Sequence, residues 1–157
     1  MDRIRTRESG PRSYVGIAVG ATRYALDVRR VREIVRPSPV APLPAAATGL
    51  VGVAYHRGEV VAVVDVRTRL TTKLEATAPP ASSIDTSHDA PGPRDRSRWV
   101  LARTREGRLV ALVVDDVEGV YASSPREAQA PPPVAGVHLR AGALVLELDV
   151  DALAAPA

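Results

Sequence analysis

The sequence predicts an all-β protein of two small barrels with about five strands each, and three observations carry that expectation. Short runs of small and β-branched residues recur along the chain, separated by turns that contain Gly or Pro. Phe is absent and the aromatics are only Tyr14, Tyr24, Tyr55, Trp99 and Tyr121, so the interior must be built mainly from Val, Leu and Ala, which suits strands. Two short helical segments interrupt the strands, and no βαβ crossover is visible. At 157 residues the chain suffices for one ordinary domain, or for two small barrels that share strands.

Residues 1–12 read as a flexible lead-in to a single domain over 13–154. Tyr14–Val19 and Tyr24–Val28 alternate around Gly20-Ala-Thr, a hairpin signal. In Arg29–Arg36, residues Val31, Ile34 and Val35 fall at helical spacing, but Pro37 stops the segment, so a helical turn and an irregular strand both fit. Pro37, Pro39, Pro42 and Pro44 then force an extended connection. Val66, Leu70 and Leu74 recur every four positions after Asp65, which predicts a short helix with Asp65 near its start. From 75 to 98 Thr, Ser, Asp, Pro and Gly dominate, too polar to offset ordering entropy, and a disordered loop is expected. Trp99–Arg103 and Arg108–Val114 flank the turn at Glu106-Gly107. After a Pro-rich stretch, Val134–Leu139, the turn Arg140-Ala-Gly142 and Leu144–Leu148 make a last hairpin, and Asp149 is placed to cap a final helical turn through Leu153.

The most informative stretch is 49–67. Leu50–Tyr55 and Val60–Val66 are small or β-branched, the composition of strands covered on both faces. Arg57-Gly58 supplies the bend, because glycine reaches positive φ without steric cost, and Tyr55, His56 and Arg57 then stand at or near the tip.

Several function classes are disfavoured. The chain has no Cys, which excludes a disulfide framework, a thiol nucleophile and Cys-based metal sites and fits a reducing compartment. No apolar run approaches the ~20 residues of a membrane span, and the start of the chain lacks the apolar centre of a secretory signal, so a soluble cytoplasmic protein without membrane insertion is expected. The net charge of +3 is small, with 21 basic residues spread among 18 acidic ones. Only Arg3, Arg5, Arg7 and Arg12 form a basic cluster, and they carry the alternative of a basic small-barrel nucleic-acid binder. The few scattered aromatics do not form the stacking platform such barrels expose, so no nucleic-acid partner is expected.

Catalysis has no visible carriers. No Gly-x-Ser-x-Gly elbow, phosphate-cradling loop or Walker-type lysine occurs, and the only lysine is Lys73. His56, His88 and His138 lack metal-helix spacing and read as surface residues, and Asp115 and Asp116, adjacent at a strand end, point to opposite faces. No cofactor, metal or catalytic residue is expected; a small hydrolase with an unrecognised site is the remaining enzymatic possibility.

Laid out in order, these residues resemble the CheW-like family of chemotaxis coupling proteins over nearly all of 13–154. The landmarks are Tyr24-Ala-Leu-Asp-Val, Val31-Arg-Glu-Ile, the Pro-rich spacer, Gly49-Leu-Val-Gly-Val, Arg57-Gly-Glu-Val-Val-Ala-Val-Val-Asp-Val-Arg67, Val113-Val-Asp-Asp-Val-Glu-Gly-Val120, Gly136-Val-His-Leu and Leu144-Val-Leu-Glu-Leu-Asp149. Each block alone is weak, while the ordered set is specific. The resemblance implies two intertwined five-stranded SH3-like barrels and a non-enzymatic adaptor in the cytoplasm, held at membrane-bound receptor arrays by its partners. Those partners are the cytoplasmic hairpin tip of a chemoreceptor and the regulatory domain of a CheA-type histidine kinase. It also implies a receptor-binding surface of Val31, Glu33, Ile34, Tyr55, His56, Arg57 and Gly58, with Gly49, Gly52 and Gly58 shaping the hairpin. Glu33 and Arg57 would brace that surface as a semi-buried carboxylate–guanidinium fork, for which loss of one partner costs on the order of 3–5 kcal/mol. The chain departs from the family in three places: Tyr55-His56 stands where an Asn-Leu or similar pair is usual, the 75–98 loop is longer, and 123–137 is shorter.

Overall fold

The computed structural model describes residues 10–44, 47–75, 97–127 and 129–155. Ten strands, β1 (Arg12–Val19), β2 (Thr22–Asp27), β3 (Val31–Val35), β4 (Leu50–His56), β5 (Glu59–Asp65), β6 (Arg98–Arg103), β7 (Leu109–Val114), β8 (Asp116–Ser123), β9 (Val134–Arg140) and β10 (Ala143–Leu148), are joined by two helices, α1 (Val66–Glu75) and α2 (Val150–Ala154). They form two five-stranded sheets, ordered β8-β1-β2-β10-β9 and β3-β6-β7-β5-β4.

Adding five to each strand number, and wrapping past ten, turns one sheet order into the other. The chain is therefore a structural duplication, β1 to β5 with α1 followed by β6 to β10 with α2. Each sheet takes two strands from one repeat and three from the other, which is what makes the barrels intertwined. Local detail repeats as well. The hairpins β4–β5 and β9–β10 both turn through two residues of positive φ, Arg57 and Gly58 (45° and 85°) and Ala141 and Gly142 (48° and 79°). The Pro-rich spacers cover the outer strands in the same way: Ala41 bridges Val53, the fourth residue of β4, and Arg126 bridges Val137, the fourth of β9.

The main core lies between the sheets. Val15, Ile17, Val19 and Leu26 from one pack against Val64, Val100, Leu112 and Val114 from the other, joined by Val66 and Leu70 of α1 and Val150 and Leu153 of α2. Burial of each such side chain contributes about 1.5–3 kcal/mol. Both helices begin where an aspartate accepts from the first turn. Asp65 takes the Arg67 N–H and the Thr68 hydroxyl, and Asp149 takes the Asp151 N–H. The second residue of each helix then ties the repeats together with the charges exchanged. Arg67 pairs with Asp115, just before β8, while Asp151 pairs at 3.7 Å with Arg30, just before β3.

Two expectations need correction, one strand went unassigned, and one open reading is resolved. Hairpins do not account for the sheets, because β2 pairs parallel with β10 and β5 with β7. The 49–67 strands are not covered on both faces: β4 is an edge strand, and Val51, Tyr55 and Val60 are exposed. Residues 116–123, assigned to no strand in advance, form β8, whose alternation is masked by Asp116, Glu118 and Gly119. The ambiguous segment after Asp27 is divided, with a 3₁₀ turn at Val28–Arg30 and then β3. β1 begins at Arg12, and the rest of the expected arm, residues 1–9, lies outside the described residues, as does most of the expected 75–98 loop.

Candidate functional site

Neither sheet is closed by a backbone ladder, since β3 and β4 stand at opposite ends of one order and β8 and β9 of the other. Side chains span each gap. Between β3 and β4 the bridge is Glu33. The pairing of β3 with β6 slips at Arg32, and past this bulge Glu33 stands opposite Leu101. Its Oε1 accepts from the Arg57 guanidinium at 2.9 Å, and its Oε2 lies 3.1 Å from His56 Nε2. The hairpin turn makes this possible. Arg57 and Gly58 both adopt left-handed φ, the two-residue turn that matches strand twist, and it delivers Arg57 beside the last residue of β4.

The expected semi-buried fork is absent. Arg57 makes one contact rather than two, and its side chain is 75% exposed against 27% for Glu33 and 20% for His56. Glu33 divides its oxygens between two cations or donors, and an exposed pair of this kind is worth about 0.2–1 kcal/mol, well under the expected figure.

Of the other expected surface residues, Ile34 is 40% exposed, and Val31 is partly buried against the inter-sheet core. Tyr55, adjacent to His56 on a strand, turns to the other face. There it stands opposite Val60, the two being 71% and 70% exposed, with its hydroxyl above Gly58. The residues named in advance therefore divide into a polar bridge (Glu33, His56, Arg57) and an apolar pair formed by Tyr55 with a residue not singled out beforehand, Val60. Gly52 serves close approach rather than a turn, because a Cβ there would come within 2.2 Å of the Ala41 carbonyl oxygen. Gly49 lies against the Arg69 side chain.

The second gap, between β8 and β9, is spanned by residues that were assigned to no site in advance. Tyr121 of β8 meets His138 Nε2 of β9 at 2.6 Å, the Arg140 guanidinium lies 4.2 Å above the Tyr121 ring and 3.6 Å from Glu118, and Ser123 donates to the Leu139 carbonyl. Tyr14 stacks on His138 with centroids 4.2 Å apart and donates to Glu147 at 3.2 Å. His138 is 1% exposed, which overturns its reading as a surface histidine; His56 is half-buried on Glu33, and His88 lies outside the described residues. Burial pushes the Glu147 carboxyl above its usual range and, with Arg140 nearby, holds the His138 imidazole below its own. Burial, with Glu147 beside it, also pushes the Tyr14 phenol up.

Arg23, Arg29, Arg30, Arg67, Arg105, Arg108 and Arg140 each stand within ion-pair reach of a carboxylate. Of the basic cluster behind the nucleic-acid alternative, only Arg12 is described, within β1. Among the described residues no helix is long and apolar enough to cross a membrane.

A family model, the CheW-like domain, matches residues 13–156. The chain belongs to the CheW-like family. A curated CheW-like relative, the chemotaxis protein CheW of Rhizobium meliloti (strain 1021), is 29% identical over 142 residues, spanning 88% of this chain and 81% of the relative. The crystal structure of the scaffolding protein TtCheW from Thermoanaerobacter tengcongensis superposes with a TM-score of 0.67 at 19% identity over 90% of both chains, which establishes the CheW-like fold. These two proteins are described as a chemotaxis protein and a scaffolding protein.

Proposed function

We propose that this protein is a non-enzymatic scaffold that couples the cytoplasmic hairpin tip of a chemoreceptor to the regulatory domain of a CheA-type kinase, in a cytoplasmic array at the membrane. The observation that carries the reading is the polar bridge from Glu33 to His56 and Arg57, which holds the edges of one sheet together at the surface beside exposed Ile34. It links β3 to β4 without covering Ile34, so the apolar side chain stands beside the polar bridge at the surface available to a partner. Tyr55 and Val60 on the opposite face of the hairpin add a second apolar contact, and aromatic side chains of this kind are frequent anchors in interfaces.

Arg57→Glu tests the reading by placing like charges opposite each other. Co-sedimentation with receptor-bearing membranes and kinase is expected to fall by about tenfold or more, with the folded spectrum retained. Undiminished co-sedimentation of the folded variant would refute the assigned surface.

A further inference from the structure

The duplication permits an internal control: a residue needed only for the fold should be matched in chemistry at the equivalent position of the other repeat. Several positions fail that test, among them His138, which stands where Ala54 does, and three more that share one end of the sheet. Tyr14 pairs with Asp27 across β1–β2 as Trp99 pairs with Val113 across β6–β7. Glu147 is the fifth residue of β10, opposite Ala25, as Val63 is the fifth of β5, opposite Ala111. One sheet thus places Trp, Val and Val where the other places Tyr, Asp and Glu. The fold is satisfied by the apolar set, so the buried Glu147, 8% exposed, calls for a reason other than packing.

Two of these residues, Asp27 and Glu147, border a cleft of about 630 Å³ at the end of that sheet, where it meets the β6–β7 turn. Four guanidinium side chains line it, Arg12, Arg30, Arg105 and Arg126. Arg30 and Arg105 are engaged by Asp151 at 3.7 and 3.6 Å. Arg12 and Arg126 form no ion pair among the described residues, although the charge of Arg12 acts on Asp27 and Glu147. Of the acids of the lining, Asp27 is neutralised by an ion pair, while Asp149 caps α2 and keeps its charge. Asp27 is gripped by Arg29, with contacts of 3.1 and 2.8 Å, and Asp149 accepts the Asp151 N–H. Glu147 accepts from Tyr14, and burial holds its carboxyl above the usual range. Glu127 alone is exposed at the rim.

We propose that this cleft binds a small, multiply charged oxyanion, phosphate- or carboxylate-bearing, gripped by Arg12 and Arg126. Guanidinium forks match both groups in a bidentate manner, and two of them lining one cleft favour a ligand with more than one negative charge. The proposal stands apart from the scaffold reading, because none of these residues belongs to the Glu33 bridge.

Isothermal titration of the full chain with inorganic pyrophosphate and, separately, with citrate at one fixed ionic strength tests it. At least one of the two is expected to bind, with affinity reduced about tenfold by Arg12→Ser and by Arg126→Ser and unchanged by Arg36→Ser, an exposed arginine outside the cleft. Preference for pyrophosphate identifies a phosphate ligand, and preference for citrate a carboxylate one. Arg126 is exposed, so that variant keeps its fold and decides the matter if Arg12→Ser does not. Binding of neither anion, or an equal loss with Arg36→Ser, overturns the proposal.

Discussion

The interiors of the two sheets share a backbone plan and differ in chemistry. Inside one lie Ala54, Val61, Val63, Trp99, Leu101 and Ala111, all apolar. Inside the other, Tyr14, Ala25 and Val145 are joined by buried His138 and Glu147. The same strand order tolerates both fillings, which teaches that topology is set by the shared inter-sheet core and that each inner face is free to specialise. The apolar side should then carry more stability for each side chain. Trp99→Ala removes a large, 4% exposed ring and is expected to cost about 3–5 kcal/mol, read by urea unfolding. A loss below about 1 kcal/mol would mean that this interior is no better packed than its polar counterpart.

The polar side should instead reveal itself through pH. His138 faces the Tyr14 ring, the Tyr121 hydroxyl and Arg140, and burial lowers its proton affinity relative to the free value of 6.5. The unfolded chain therefore takes up the proton first as pH falls below 6.5, so His138 contributes stability that is present above that pH and is lost on acidification. Glu147 has the opposite sign, its raised affinity favouring the folded state at low pH and penalising it as pH rises. Comparing wild type with His138→Gln isolates the first effect. The wild type should lose stability faster between pH 7 and 5, by up to about 1.4 kcal/mol per pH unit, and Val61→Ala in the apolar sheet should leave the slope unchanged. Parallel pH curves for wild type and His138→Gln would remove the imidazole from the account.

How much of this was legible in the sequence follows from distance along the chain. The Arg57-Gly58 turn was legible because its signal is local, a glycine between two strand-forming runs, and both helix caps were legible for the same reason. The contact between Glu33 and Arg57 spans 24 residues and was visible only through family resemblance. Tyr14 and Glu147, 133 residues apart, carry no local mark of their meeting. His138 sits in a strand whose alternation gives no sign of which face is inner, and it was misread as exposed. The duplication was hidden as well, because equivalent positions hold Trp99 and Tyr14, or Val63 and Glu147, and the repeat survives in register rather than in residue type. The parallel pairings followed from that hidden exchange of strands and could not be read from hairpin signals.

The two edge bridges give the smallest effect and the sharpest contrast. Glu118, Tyr121, His138 and Arg140 lie at least partly out of solvent, whereas Arg57 stands in it, so screening by water should make the Glu33 bridge weak in the free protein. Glu33→Gln keeps the shape and an acceptor oxygen but removes the charge, and it is expected to lower stability by only about 0.2–1 kcal/mol, with little change in melting temperature. Partner binding should fall further than that loss explains, since a neutral side chain no longer fixes Arg57 and His56 when a partner excludes water and strengthens the field between them. Thermal melting and co-sedimentation measured on the same preparation separate the two quantities. If Glu33→Gln destabilised the fold as severely as Trp99→Ala, the bridge would be a structural closure like the one between β8 and β9, and its exposure would no longer single it out as a surface prepared for a partner.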